Sequence, residues 1–222
     1  SFSTNRPPSG SHEKVQIINN PMLATERLLL REATEDDAGF MLSLLSEPAW
    51  REFIVDHDVT DEDGARAYLQ ARILPGYKEG MGLWLMELKD TSTPIGICGL
   101  VQRPFLNNPD LGFALLAAYR AAGYAAEASR AVIDHARDSL GLKSLLAITV
   151  PHNEKSIQLL QRLGFRFLRE TSNPDGEKLA LFEVELEDKK NEGKAIDGKD
   201  GKKGKKEKKD KKDKKDTRLN LL

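Results

Sequence analysis

Apolar and polar positions alternate in short, element-sized blocks between about residues 22 and 187, and this patterning is lost on either side. Residues 25–31 (Thr-Glu-Arg-Leu-Leu-Leu-Arg) predict a strand. Thr34 reads as a helix N-cap, because Glu35, Asp36 and Asp37 then place negative charge in the first turn, against the helix dipole. That helix buries Met41, Leu44 and Leu45 and ends near Pro48. A second helix runs from Glu62 to about Leu74, where Pro75 and Gly76 break it. Strands follow at 83–88 and 95–101, joined by turn residues 90–94. A loop at 104–109 then leads to a short apolar strand at 111–116. Residues 120–125 open a helix whose inward stripe is Tyr124, Ala128, Ala131/Val132 and His135, and Gly141 stops it. After an apolar strand at 145–150, Asn153 caps a helix with the stripe Ile157, Leu160 and Leu163, ended by Gly164. Strands at about 165–169 and 178–186 straddle a turn at 173–176. The order βααβββαβαββ predicts an α+β (mixed α/β) domain built on one sheet of about seven strands.

The flanks change the picture. Residues 1–20 are polar and contain Pro7-Pro8, which predicts a disordered N-terminal arm. Residues 188–222 carry 15 basic and 8 acidic side chains, and residues 201–216 offer nothing apolar to bury. This segment is expected to be a lysine-rich disordered tail. The overall charge of −1 therefore averages an acidic globule, −8 over residues 1–187, and a basic tail of +7. The expected organisation is an arm (1–20), one domain (21–187) and a tail (188–222).

A single cysteine, Cys98, excludes an intramolecular disulfide framework and a cysteine-rich metal site, and no metal is expected. No apolar run approaches the ~20 residues of a membrane-spanning helix, and residues 1–20 lack the apolar core of a secretory signal. A cytoplasmic location is the expectation, with a nuclear one also compatible.

The densest chemical signal lies at 111–130. A short strand ends, the chain turns, and Gly123 stands just before a helix. Glycine lets backbone approach a ligand closely, and the unpaired N–H groups of a first helical turn favour an anion such as a diphosphate. Arg120/Gly123/Ala125 resembles the Gln/Arg-x-x-Gly-x-Gly/Ala pyrophosphate motif of the GNAT N-acetyltransferases. Residues 124–128 (Tyr-Ala-Ala-Glu-Ala) are similar to the Gly-Tyr-Ala-Thr-Glu-Ala stretch of that superfamily's RimJ/RimL-like branch. Residues 25–31, Pro94-Ile95-Gly96 with Gly99-Leu100, and Asn153 to Ser156 through Leu163-Gly164-Phe165 resemble further segments of the branch in the same order. The resemblance covers about residues 22–187.

It implies a mostly antiparallel sheet flanked by about four helices, with a V-shaped splay between the strands at 111–116 and 145–150. Acetyl-CoA is the implied cosubstrate. Its pantetheine would pair with backbone of Phe113, Leu115 and Leu116. Its diphosphate would meet Arg120 and the amides of Ala121, Ala122, Gly123, Tyr124 and Ala125. Asn153 and Ser156 would line the thiol end. The implied reaction is direct attack of a primary amine, a protein N-terminal α-amine or a small-molecule amine, on the thioester. Many family members carry a tyrosine as general acid where this chain has Leu160, so Ser156 becomes the candidate acid, with solvent as its competitor. Candidate bases are Asp110, which matches the branch's acidic position before Gly-Tyr, then Glu127 and His152. Trp84 and Cys98 read as core, and Trp50 as core or acceptor-side lining.

The Leu160 departure also admits a catalytically weak CoA-binding interaction module. The tail admits weak nucleic-acid or ribosome contact through its lysines, although acidic residues dilute its field and it has no aromatic side chain for stacking. Monomer and homodimer are both compatible with the sequence.

Overall fold

The structure, a computed structural model, describes residues 22–53 and 59–187. The predicted arm and the lysine-rich tail lie outside the described residues. Among those described, the elements are β1 (Leu23–Ala24), β2 (Leu28–Arg31), α1 (Ala38–Leu45), α2 (Pro48–Phe53), α3 (Glu62–Tyr68), β3 (Gly82–Leu88), β4 (Pro94–Val101), β5 (Asp110–Leu115), α4 (Tyr124–Asp138), β6 (Ser144–Thr149), α5 (Glu154–Arg162), β7 (Arg166–Ser172) and β8 (Lys178–Glu185). One eight-stranded sheet runs β1-β2-β3-β4-β5-β6-β8-β7. Every neighbouring pair is antiparallel except β5 and β6.

Alternation along the strands feeds two large cores, and a smaller third cluster gathers Leu106, Leu146, Ile148, Val150, Leu179 and Leu181. Leu28, Leu30, Trp84, Met86, Leu111, Phe113 and Leu115 meet Ala128, Val132 and Ala136 of α4, with Leu159 and Leu160 of α5 in the same cluster. Leu83, Leu85, Ile97 and Ala114 face the other way, against Met41, Leu44 and Leu45 of α1, Trp50 of α2, and Ala65 and Tyr68 of α3.

Several elements differ from the sequence pattern. Pro48 opens a helix rather than ending one, since a missing N–H is harmless at the first helical position. That helix buries Trp50 edge-on to Tyr68, ring centroids 6.2 Å apart, so Trp50 is core and not acceptor lining. The second predicted helix is regular only to Tyr68 and continues as a π turn (Leu69–Ile73) and a 3₁₀ turn (Leu74–Gly76). The buried stripe of α4 is Ala128, Ser129, Val132 and Ala136. Tyr124 and His135 flank it, and His135 pairs Nε2 with the Gly80 carbonyl at 2.8 Å.

Trp84 and Cys98 are fully buried, as the pattern predicts. Burial pushes the Cys98 thiol up to about 12, against the weak pull of the Ser129 hydroxyl 3.8 Å away. Thiolate is the reactive form, so alkylation of the native protein is expected to be negligible and to track unfolding in denaturant. Rapid native-state labelling with iodoacetamide would contradict this packing.

Candidate active site

The sheet changes character between β5 and β6. The parallel register is Asp110 opposite Leu146, supported by the Leu146 N–H donating to the Pro109 carbonyl at 3.0 Å. Beyond that point no further β5–β6 register pair forms, and the two strands part. On its other edge β5 is paired with β4 along its whole length. The Leu116 N–H donates to the Ile95 carbonyl, which fixes the alternation of bonded and non-bonded positions. By that alternation Ala114 and Leu116 turn their backbone groups to β4, whereas Leu111 turns its own to β6 at the point of contact and Phe113 and Leu115 turn theirs into the opening. Leu116, expected in the pantetheine row, is thus satisfied elsewhere, its carbonyl accepting from Tyr119 N–H at 3.0 Å.

The chain leaves β5 through a 3₁₀ turn (Ala117–Tyr119) and enters α4 through two left-handed residues, Ala121 at φ 63° and Gly123 at φ 86°. Gly123 is the N-cap residue of α4, and its carbonyl accepts the first helical bond, from Glu127 N–H. The amides of residues 121–126 make no backbone hydrogen bond among the described residues. They form a concave row of donors at the positive end of a fifteen-residue helix. Arg120 does not reach over this row. Its Nε and Nη2 donate to the Leu115 carbonyl at 3.1 and 2.9 Å, and Nη2 lies 3.8 Å from Glu47.

A different arginine stands beside the row. Arg27, between β1 and β2, donates through Nε to Glu127 at 2.7 Å and through Nη1 to the Ala122 carbonyl at 3.0 Å. Its guanidinium lies 4.2 Å over the Tyr124 ring. Glu127 also accepts from the Thr25 hydroxyl at 2.6 Å and the Arg27 N–H at 2.8 Å. Burial works against the charged form, but these three donors together hold the Glu127 carboxyl below its usual range. A lowered carboxyl stabilises the fold above its unfolded pKa and loses that contribution as pH falls through the folded one, so this tie is complete at neutral pH.

On the far side of the opening, β6 ends at Thr149 and Asn153 caps α5, its Oδ1 accepting from Ser156 N–H at 3.2 Å. Two buried polar atoms here have no partner, Thr149 Oγ1 and Asn153 Nδ2. Ser156 is buried, and its hydroxyl makes no hydrogen bond among the described residues. Leu160 lies in the core under α5. His152 is exposed, its ring 5.3 Å from that of Phe53.

Asp110 is not a solvated carboxylate at a strand mouth. It is 1% exposed and accepts from Arg103 Nε at 2.8 Å, with Arg103 itself 2% exposed. Burial pushes its carboxyl up and the Arg103 guanidinium opposes this. The sequence reading missed Arg27 and Arg103. Arg27 was visible only as part of a strand motif, and nothing in a Pro- and Asn-rich loop marks Arg103 as buried. Among the described residues no cluster of three or more His, Cys, Asp or Glu is placed to hold a metal ion. No helix among them is long and apolar enough to cross a membrane.

The fold is shared with known proteins. The family model "Acetyltransferase (GNAT) domain" matches residues 27–166. The chain is 28% identical over 168 residues to the uncharacterized N-acetyltransferase p20 of Bacillus licheniformis, covering 74% of this chain and 94% of that protein. The crystal structure of the acetyltransferase from Agrobacterium tumefaciens strain C58 superposes with a TM-score of 0.62 at 26% identity, over 73% of this chain and 92% of that one. RimL, the ribosomal L7/L12 alpha-N-protein acetyltransferase solved with coenzyme A, shares the fold, with a TM-score of 0.63 at 16% identity over 75% and 98% of the two chains. This chain belongs to the GNAT acetyltransferase family and is an acyltransferase.

Proposed function

We propose that the chain transfers the acetyl group of acetyl-CoA to a primary amine, and that the β5–β6 opening is where the two meet. One observation carries the reading. The opening has the outward backbone groups of Phe113 and the Leu115 N–H on one side, and on the other the end of β6 and the cap of α5, where Thr149 Oγ1 and Asn153 Nδ2 are buried without partners. Buried polar atoms without partners are rare, and a pantetheine arm bearing two amides is a ligand that satisfies such a row. The donor row 121–126 suits its diphosphate. The domain we infer to hold this site spans 21–187, leaving 1–20 and 188–222 outside it.

In the proposed step the amine nitrogen attacks the thioester carbon. A C–N bond forms, the C–S bond breaks, the amine gives up one proton and the sulfur gains one. The unengaged Ser156 hydroxyl beside the Asn153 cap is assigned the proton delivery to sulfur. Asp110, held by Arg103, and Glu127, tied to Arg27 and Thr25, are both occupied by structural partners. The amine's proton is therefore assigned to solvent. An α-amine, with an ordinary pKa near 7.7–8.0, is already partly neutral at pH 7, whereas a lysine at about 10.4 is not. This favours α-amines and weakly basic small amines as acceptors, and the acidic globule favours those bearing further positive charge.

Thiol release from acetyl-CoA with a panel of N-terminal peptides, small amines and lysine peptides blocked at the α-amine tests the reading. Amine-dependent turnover is expected with the first two classes. Tight CoA binding with no amine raising turnover above hydrolysis would instead make the chain a CoA-binding module. Ser156→Ala is expected to lower kcat about a hundredfold to ten-thousandfold, the range of one general acid, with CoA affinity within about threefold. Equal losses in both would reassign Ser156 to binding.

A further inference from the structure

We infer that Arg27, and not the motif arginine Arg120, is the cation that holds the diphosphate of the cosubstrate; this rests on the acetyl-CoA reading above. The two arginines are deployed oppositely. Arg120 is spent on the Leu115 carbonyl through two nitrogens and leans toward Glu47, which puts its charge at the end of β5 and away from the donor row. Arg27 is drawn into the donor row. Nε is fixed by Glu127, Nη1 by the Ala122 carbonyl, and the guanidinium plane lies on Tyr124. Nη2 has no hydrogen-bond partner among the described residues. It lies 3.4 Å from the point where a Cβ on Gly123 would stand. A guanidinium nitrogen without a protein partner therefore sits against the N-cap glycine of α4, while the side chain, 41% exposed as a whole, is held by Glu127, the Ala122 carbonyl and the Tyr124 ring.

Charge bookkeeping explains why the fold spends so many bonds here. Glu127 lies in the first turn of α4, where an unpaired carboxylate would repel a diphosphate. Thr25 Oγ1, Arg27 N and Arg27 Nε all donate to it, so its charge is compensated locally. Glu127 in turn orients Arg27 so that Nη2 points past the carboxylate to Gly123. Arginine suits this task better than lysine, because its fork serves two protein acceptors and still presents a third nitrogen. Glu127 is thus a positioning residue and Arg27 a binding residue.

Two roles for Arg27 must be separated, neutralising Glu127 and contacting phosphate. A calorimetric cycle with CoA separates them, using Arg27→Gln, Glu127→Gln and the double variant, each checked by thermal melting. Arg27→Gln is expected to weaken CoA by about tenfold to a hundredfold, the loss of one charge-assisted bond plus an uncovered carboxylate. The double variant is expected to stay at least about tenfold weaker than wild type. Recovery of wild-type affinity in the double variant would reduce Arg27 to a charge neutraliser and overturn the inference. The same cycle with 3′-dephospho-CoA should show the same fold-loss for Arg27→Gln. Loss confined to CoA would move Arg27 to the 3′-phosphate and overturn the diphosphate assignment. If Arg27→Gln melts too low to measure, Arg27→Lys takes its place, with an expected loss of about threefold or more that Glu127→Gln does not repair. Failure of the wild-type protein to bind CoA at all would refute the underlying reading rather than this assignment.

Discussion

Gly123→Val is expected to weaken CoA binding at least about a hundredfold while the protein still folds. Gly123 sits at φ 86°, in the left-handed region that β-branched residues avoid, so valine strains the turn by roughly 1–3 kcal/mol. That strain is tolerable for a domain of this size, because within the protein a new Cβ meets only Arg27 Nη2, at 3.4 Å. The ligand suffers more. Valine methyl groups occupy the concave side of the 121–126 amides and displace Arg27. Losing two charge-assisted contacts to a diphosphate corresponds to about a hundredfold in affinity. Isothermal calorimetry alongside a thermal melt checks both halves, and normal affinity in a folded Gly123→Val variant would refute the placement of the diphosphate.

The largest effect on stability is expected at Asp110. Asp110→Ala leaves the Arg103 guanidinium buried without its counter-charge, and one of its nitrogens, Nη2, already lacks a partner. Breaking one side of a buried ion pair costs about 3–5 kcal/mol. For a domain of this length that lowers Tm by roughly 6–20 °C. Replacing both partners with apolar side chains, Asp110→Leu with Arg103→Met, should be markedly milder, because no charge is then stranded. A single variant as stable as wild type would mean that water reaches Arg103. Comparable destabilisation by the single and the double change would point to packing rather than charge.

Local chemistry was legible in the sequence wherever one residue determines the backbone. Gly123 marks a left-handed turn, Asn153 an N-cap, and the apolar blocks at 83–88, 95–101 and 145–150 their strands, within one residue of the observed ends. Pairs distant in sequence were not legible. Arg27 and Glu127 are a hundred residues apart, and each alone looks like an exposed charge on its own element. Arg103 and Asp110 are close in sequence, yet only the fold of the loop between them takes both out of water. The α4 stripe was misplaced toward its larger residues because Ser129 and Ala136 carry little hydrophobic signal. They face the sheet because they are small enough to let helix and strands approach. The two-residue strand β1 was too short to show a period, and helix α2 was hidden by reading Pro48 as an end instead of a beginning.

Asp110 also lies where β5 and β6 touch before parting, opposite Leu146. The sheet is therefore two blades, β1–β5 and β6–β8, joined at a fulcrum that has a salt link for its pin. A ligand that wedges between the blades would load that pin, so loss of the charge pair buried at the root of the cleft is expected to weaken binding within it as well as the fold.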